Sequence, residues 1–323
     1  MPNILASRTA LVGTAIAVVV AAAMVASGQK QALVIGVITG AGYGLVALGL
    51  VLIYKSSGVF NFAQGEFGTV AVYTLFRVHD RIGLPLLPAM LVGLAASVAM
   101  ALATERVVIR PLFDAPRVTL LVATAGVALL AISLELWLGE ARLRFIQPAL
   151  GRLDRIAVFG VQVSDQRLLV LAALLMLAVL LGLFFSRTNL GLAILGVSQE
   201  PVATELMGIS VRRLSSFTWA LTGLLAGIAG MLTAPVVGSF GPGFLTFSAL
   251  IPGFTAAVLG GMTSLPGAFV GGVIVGVAQS FAVSGFQDVP FLKEIPGPGA
   301  VMVFVILVVV LAIRPQGLLG KAS

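Results

Sequence analysis

Few side chains in this sequence are able to do chemistry, and the ones that stand out lie within apolar stretches. In Tyr54–Gly68 (YKSSGVFNFAQGEFG), Lys55, Ser56, Ser57 and Gly58 break a helical pattern, and Asn61, Gln64 and Glu66 follow. At about 100° per residue, Asn61, Gln64, Gly65 and Gly68 fall on one helix face, with Glu66 on another side. Amides and a carboxylate at membrane depth cost several kcal/mol each if unpaired, so they face protein or a water-filled path. Asn61, Gln64, Gly65 and Glu66 are thus candidates for a translocation pathway or gating segment. The alternative is that the amides join neighbouring helices and Glu66 pairs with Lys55 or a backbone group. Glu135, three residues from the end of its apolar stretch, is expected to reach for headgroups.

A second segment, Ser186–Ser216 (SRTNLGLAILGVSQEPVATELMGISVRRLSS), carries signals for a short amphipathic helix. Ser198 before Gln199, Glu200 and Pro201 marks its start, Val202, Leu206 and Met207 form an apolar stripe, and Gly208 ends it. Such a helix either lies on lipid or docks a protein. Basic residues are absent from 188 to 211, which tilts the reading towards a protein partner. A third segment, Gly253–Gly276, has glycines four apart at Gly267/Gly271 and Gly272/Gly276, which suits close helix packing. Gly260–Gly261 and Leu265–Pro266 punctuate it. Interrupted segments in the two halves of a transporter point to a substrate site, and 58–76 and 249–272 form such a pair.

The elements that must position these residues follow from composition. Of 323 residues, 59% are hydrophobic and 10% charged, against about 25% charged in soluble domains. Mean hydropathy is +1.13, so the solvent for most of the chain is lipid. With no cysteine and one histidine, His79, disulfides, thiolate zinc sites and multi-histidine metal sites are excluded. The net charge of +7 is spread singly and in pairs over short loops, a topology pattern rather than a nucleic-acid surface. Apolar stretches at 9–27, 32–54, 58–76, 84–104, 118–138, 168–186, 214–233, 249–262, 266–283 and 299–313 predict an all-α polytopic membrane protein. Eight to ten transmembrane helices are expected, with one or two interrupted or re-entrant, in a single membrane domain over 1–323. The run Leu11–Ala26 exceeds the roughly 7–15 residues of a cleavable signal core, so 1–30 is read as an extra span or signal anchor. With both ends cytoplasmic, five of the outward basic residues fall in one extracytoplasmic loop, 139–167, whose alternating run Arg155–Val163 predicts a small strand or hairpin.

No P-loop, H-E-x-x-H, G-x-S-x-G or voltage-sensor series is present. Nothing marks the chain as an enzyme, and energy for uphill work must come from elsewhere. A secondary transporter or channel working without an ATPase, with Glu66 as an ion or proton site, is the alternative reading.

Gly58–Gly68 (GVFNFAQGEFG), Arg187–Ile209 (RTNLGLAILGVSQEPVATELMGI) and Thr255–Gly276 (TAAVLGGMTSLPGAFVGGVIVG), with the ending Arg314–Gly320 (RPQGLLG), together resemble the permease subunits of branched-chain amino-acid ABC importers, of the LivH-like type. The resemblance covers most of the chain from about Gly36 onward. It implies a multi-pass subunit of the bacterial-type inner membrane, a second permease subunit, two cytoplasmic ABC ATPase subunits and an extracytoplasmic substrate-binding protein. No cofactor belongs to this chain, since ATP is bound by the partner subunits. Gln199, Glu200, Ala203, Leu206 and Gly208 would lie in the coupling helix within 187–213, and Asn61, Gln64, Gly65 and Glu66 near the path. Leu, Ile and Val are the default substrates, although related permeases move other amino acids, urea or short amides. Family members commonly carry arginines where this chain reads Gly191–Gly196 (GLAILG), so ATPase docking here would rest more on packing.

Overall fold

The structure, a computed structural model, describes residues 29–113, 115–139, 142–145, 155–158, 160–199, 201–314 and 317. The expected anchor at 9–27, Glu200 and parts of the loop 139–167 lie outside the described residues. In chain order the elements are α1 (Lys30–Ser57), α2 (Gln64–Phe76), α3 (Leu86–Ala103), α4 (Arg117–Gly139), β1 (Arg155–Val158), β2 (Val161–Ser164), α5 (Asp165–Arg187), α6 (Asn189–Gln199), α7 (Pro201–Leu206), α8 (Val211–Val237), α9 (Ile251–Gly260), α10 (Leu265–Gly285), α11 (Pro290–Lys293) and α12 (Pro298–Ile313). Wider π turns extend α2 through Arg77–Arg81 and α3 through Thr104–Ile109, and a third, Thr246–Leu250, leads into α9.

Among the described residues, six helices are long and apolar enough to cross a membrane: Lys30–Ser57, Leu86–Leu112, Arg117–Leu138, Asp165–Arg187, Val211–Val237 and Leu265–Gly285. The chain is a multi-pass α-helical membrane protein. Thr246–Gly260 and Pro298–Ile313 are shorter. At 13 residues and about 1.5 Å per residue, α2 is too short for a hydrocarbon core of about 30 Å. Segments 58–63 and 238–245 are largely non-helical, so α2 and the 246–260 helix each follow a break. Asn61 therefore does not share a helix face with Gln64, Gly65 and Gly68 as the periodicity suggested. It lies in the turn before α2, where its side-chain Oδ1 accepts from the Ala63 amide at 3.0 Å. Asparagine favours such local bonds over a helix interior.

The chain forms two compact units. One holds 29–47, the described part of 152–175, and 251–317. In it, α10 carries two glycine stripes that use two neighbouring helices. A Cβ on Gly267 or Gly271 would strike the backbone of Gly260 or Ala256 in α9, and one on Gly272 or Gly276 would strike Gly44 or Gly40 in α1. Lipid gives helices little hydrophobic reason to associate, so dispersion contact between closely approaching backbones takes over. The expected punctuation is present: Gly261 turns the chain at φ 89°, and Ser264 caps α10 by accepting from the Gly267 amide at 3.1 Å. The hairpin expected within 139–167 is β1–β2, antiparallel, with Arg155 opposite Ser164 and Val158 opposite Val161.

The second unit holds 48–151, as far as described, and 176–250. Here α2 is enclosed by α3, α4 and α8. Phe67 of α2 meets Trp219 of α8 edge-on at 6.3 Å, within a buried cluster that includes Ile53, Ile109, Leu120 and Ala226. Backbones close in at Gly68 against Ala226, and at Gly223 against Ser97 and Ala101.

Candidate functional site

Both breaks leave backbone groups at depth without helical partners, and such groups need partners from the protein. α4 supplies them for both. Thr124 accepts from the Phe62 amide at 3.2 Å and lies 3.3 Å from the Phe60 carbonyl, bracketing the break before α2. Glu135, eleven residues and about three turns further on the same face, accepts from the Gly243 amide at 2.9 Å in the second break. Thr69 of α2 accepts from Leu245 at 3.1 Å. Glu135 is 5% exposed, so it does not reach for headgroups: its carboxylate turns inward to serve the 238–245 backbone.

Asn61, Gln64 and Glu66 are each fully buried. Gln64 donates to the Thr222 carbonyl of α8 at 3.2 Å and crosses to Gly49 of α1, where a Cβ would collide with its amide. Gly65 is pressed against Thr246 in the same way. Glu66 faces Thr246 and Glu135, but neither meets hydrogen-bond geometry, so both Glu66 oxygens and Glu135 Oε1 lack a partner. Thus Gly65 and Glu66, expected on different faces, meet at Thr246, with Glu135 beside Glu66, while Gln64 turns to Thr222 and Gly49 and Asn61 shapes the preceding turn. Buried polar groups are nearly always satisfied, and an exception calls for an explanation. Periodicity alone gave no sign of Thr124, Thr69 or Gly243, and it assigned Glu135 to the headgroups. The signal available was a hydroxyl and a carboxylate eleven apart on one face of an otherwise apolar helix.

The other candidate region lies at α6–α7. Thr188 accepts from the Gly191 amide at 3.0 Å, and Gly191 lets α6 fold back on Phe184 and Phe185. Ser198 and Gln199 fall within α6, so the next helix does not start at Ser198. That helix starts at Pro201 and has six residues, Ala203 among them. It ends where Gly208 takes φ 82°, and Ser210 then caps α8. Leu206 and Met207 project outward, 85% and 71% exposed.

A family model described as "Branched-chain amino acid transport system / permease component" matches residues 32–313. The chain belongs to this family. It is therefore a transport protein and not an enzyme: a multi-pass permease component of the branched-chain amino-acid ABC transporter family. Among curated relatives, the high-affinity branched-chain amino acid transport system permease protein BraD of Pseudomonas aeruginosa is 32% identical, over 90% of this chain and 95% of its own length. LivH of Escherichia coli K12, of the same description, is 27% identical over 88% and 94%. A nucleoside ABC transporter permease, NupC of Lactococcus lactis, is 31% identical over 46% of this chain and 45% of its own. Family members work with a paired permease, ATPases and a substrate-binding subunit.

Proposed function

We propose that this chain is one half of the membrane pathway of an ATP-driven importer for branched-chain or related amino acids. Two cytoplasmic ATPases dock on α6–α7, a second permease completes the path, and an extracytoplasmic binding protein delivers substrate. The observation that carries the partner-driven part is the exposed Leu206–Met207 pair, set between Pro201 and a left-handed Gly208 on a connection with no base from 188 to 211. Apolar side chains held out on a short rigid element suit a protein groove better than an anionic membrane surface.

Within the path, Gln64, Gly65 and Glu66 form the moving contact between α2 and the second break, with Asn61 setting the turn that lets α2 start at depth. Glu66 lacks a hydrogen-bond partner in this state, and it gains one when the breaks part and water or substrate enters. ATPase closure shifts α7, and the permease pair alternates its opening. The substrate assignment follows BraD and LivH. The nucleoside permease is the reason to include nucleosides as competitors in the assay.

The test is uptake of labelled leucine into vesicles holding this chain with its second permease, ATPases and binding protein. Accumulation that requires ATP and is competed by isoleucine and valine is expected. Accumulation without ATP would favour a carrier that uses Glu66 as an ion site. Competition by nucleosides alone would replace the substrate class.

A further inference from the structure

A cavity of about 460 Å³ opens between α2, α3 and α4 in the second unit, within the roughly 300–1,000 Å³ typical of small-molecule sites. Its walls are stripes of apolar side chains: Val70 on α2, Met100 and Val107 on α3, Val127, Leu130 and Leu134 on α4. The lining runs from Val70 on α2 to Arg81 in the π turn that extends it, and from Val127 to Leu138 on α4, eleven steps each, giving a groove roughly 16 Å long at about 1.5 Å per step. Its long wall is open to the surroundings, with Val107 73% and Leu130 61% exposed.

One end differs from the rest. Arg77 and Arg81 line it from the π turn after α2, and Arg144 lines it from the segment that follows α4. Arg144 sits over the Phe76 ring at 5.0 Å, held there by backbone bonds of 2.9 Å in both directions with Phe240. Asp80 shares the π turn with the two arginines, leaving that end rich in guanidinium. Two further polar groups in the wall are more than nine-tenths buried and lack hydrogen-bond partners. These are the Tyr73 hydroxyl and Glu135 Oε1.

We infer that this groove is a binding site for one anionic phospholipid. The acyl chain lies along the apolar stripes, and the phosphate sits among Arg77, Arg81 and Arg144. The Tyr73 hydroxyl donates to a phosphate or ester oxygen, and Glu135 Oε1 accepts from a headgroup hydroxyl. A narrow apolar groove of this length, cationic at one end and open to the bilayer, matches an amphiphile. A compact solute would leave most of the wall uncovered, and an apolar partner helix would offer Arg77 and Arg81 no anion. Guanidinium binds phosphate through paired, charge-assisted bonds.

The experiment uses the assembled complex purified in mild detergent, with phosphatidylglycerol as probe and retained lipid measured by mass spectrometry. Wild type is expected to keep phosphatidylglycerol through delipidation in preference to phosphatidylcholine. The double variant Arg77→Gln/Arg81→Gln is expected to retain about tenfold less, the equivalent of one lost charge-assisted contact. Ala103→Trp, which fills the groove, is expected to do the same, whereas Leu91→Trp, elsewhere on α3, is not. Millimolar inorganic phosphate is expected not to displace the lipid. A photoreactive acyl chain on phosphatidylglycerol, applied to wild type, gives a readout independent of variant folding and should label the groove walls on α2, α3 and α4. Equal retention by all variants, indifference to headgroup charge, displacement by free phosphate, or labelling confined to residues outside α2, α3 and α4 would each overturn the site. Crosslinks from the second permease into the groove would do so as well. None of these outcomes bears on whether uptake needs ATP, so this inference and the importer reading fail separately.

Discussion

Thr124 and Glu135 do work out of proportion to their number, because each closes backbone that lipid cannot hydrate. Removing either leaves a buried amide unpaired, which costs about 1–3 kcal/mol. Thr124→Val is nearly isosteric but neither donates nor accepts, so it should lower the thermal unfolding temperature of the purified complex. Glu135→Ala should do likewise, while Glu135→Gln, which keeps an acceptor for Gly243, should unfold close to wild type. Equal behaviour of Glu135→Ala and Glu135→Gln would show that the Gly243 bond contributes nothing. The sequence displayed Asn61, Gln64 and Glu66 openly, since polar residues in an apolar run need no geometry to be noticed. It concealed Glu135, because a carboxylate near a helix end looks the same whether it turns out to headgroups or in to a broken strand of backbone. Only the partner, 108 residues away at Gly243, decides between the two.

At the scale of elements, glycine acts in two distinct ways. In α10 it permits contact: Gly272 and Gly276 bring α10 against the backbone of α1. Gly126 in the middle of α4 faces open space. Gly272→Leu should therefore sharply reduce the yield of folded protein, overpacking costing about 1–3 kcal/mol or more, whereas Gly126→Leu should express normally. Matched yields would mean that the α1–α10 approach is not needed for folding. At Gly208 the reason is conformational. Nothing lies within 4 Å of a Cβ placed there, but φ is 82°, a region that costs other L-residues about 1–2 kcal/mol. Size is thus not the issue at Gly208. Gly208→Ala and Gly208→Val should both uncouple ATP hydrolysis from uptake, with Gly208→Asn closer to wild type because asparagine tolerates this conformation. Uptake and hydrolysis measured on the same vesicles decide it, and a graded loss with side-chain volume would contradict the conformational account. The glycine spacing in α10 was legible as close packing. What no spacing shows is that adjacent stripes serve two different helices, since one residue of offset rotates the face by about 100°.

For the molecule as a whole, the question is how motion at α7 reaches the buried polar cluster. The Gly208 turn and the Ser210 cap pass directly from α7 into α8. On α8, Thr222 receives Gln64, Trp219 packs on Phe67, and Ala226 touches Gly68. Under the proposed function, a displacement of α7 would reach α2 through one continuous helix within the second unit. On the importer reading proposed above, the docking side and the contact with α2 lie at the start and the middle of one helix, a contiguous route whose coupling the following variants test. It also separates docking from transmission. Leu206→Glu with Met207→Glu should reduce the amount of ATPase that co-purifies with the permease, because two charges then face an apolar groove. Gly49→Leu leaves the docking side chains untouched but displaces Gln64 from its place against Thr222. It should therefore keep the ATPase bound and hydrolysing while uptake fails. If the Gly49 variant loses ATPase binding as well, or if both variants fail in the same way, α8 is not the link, and the two regions act through separate parts of the chain.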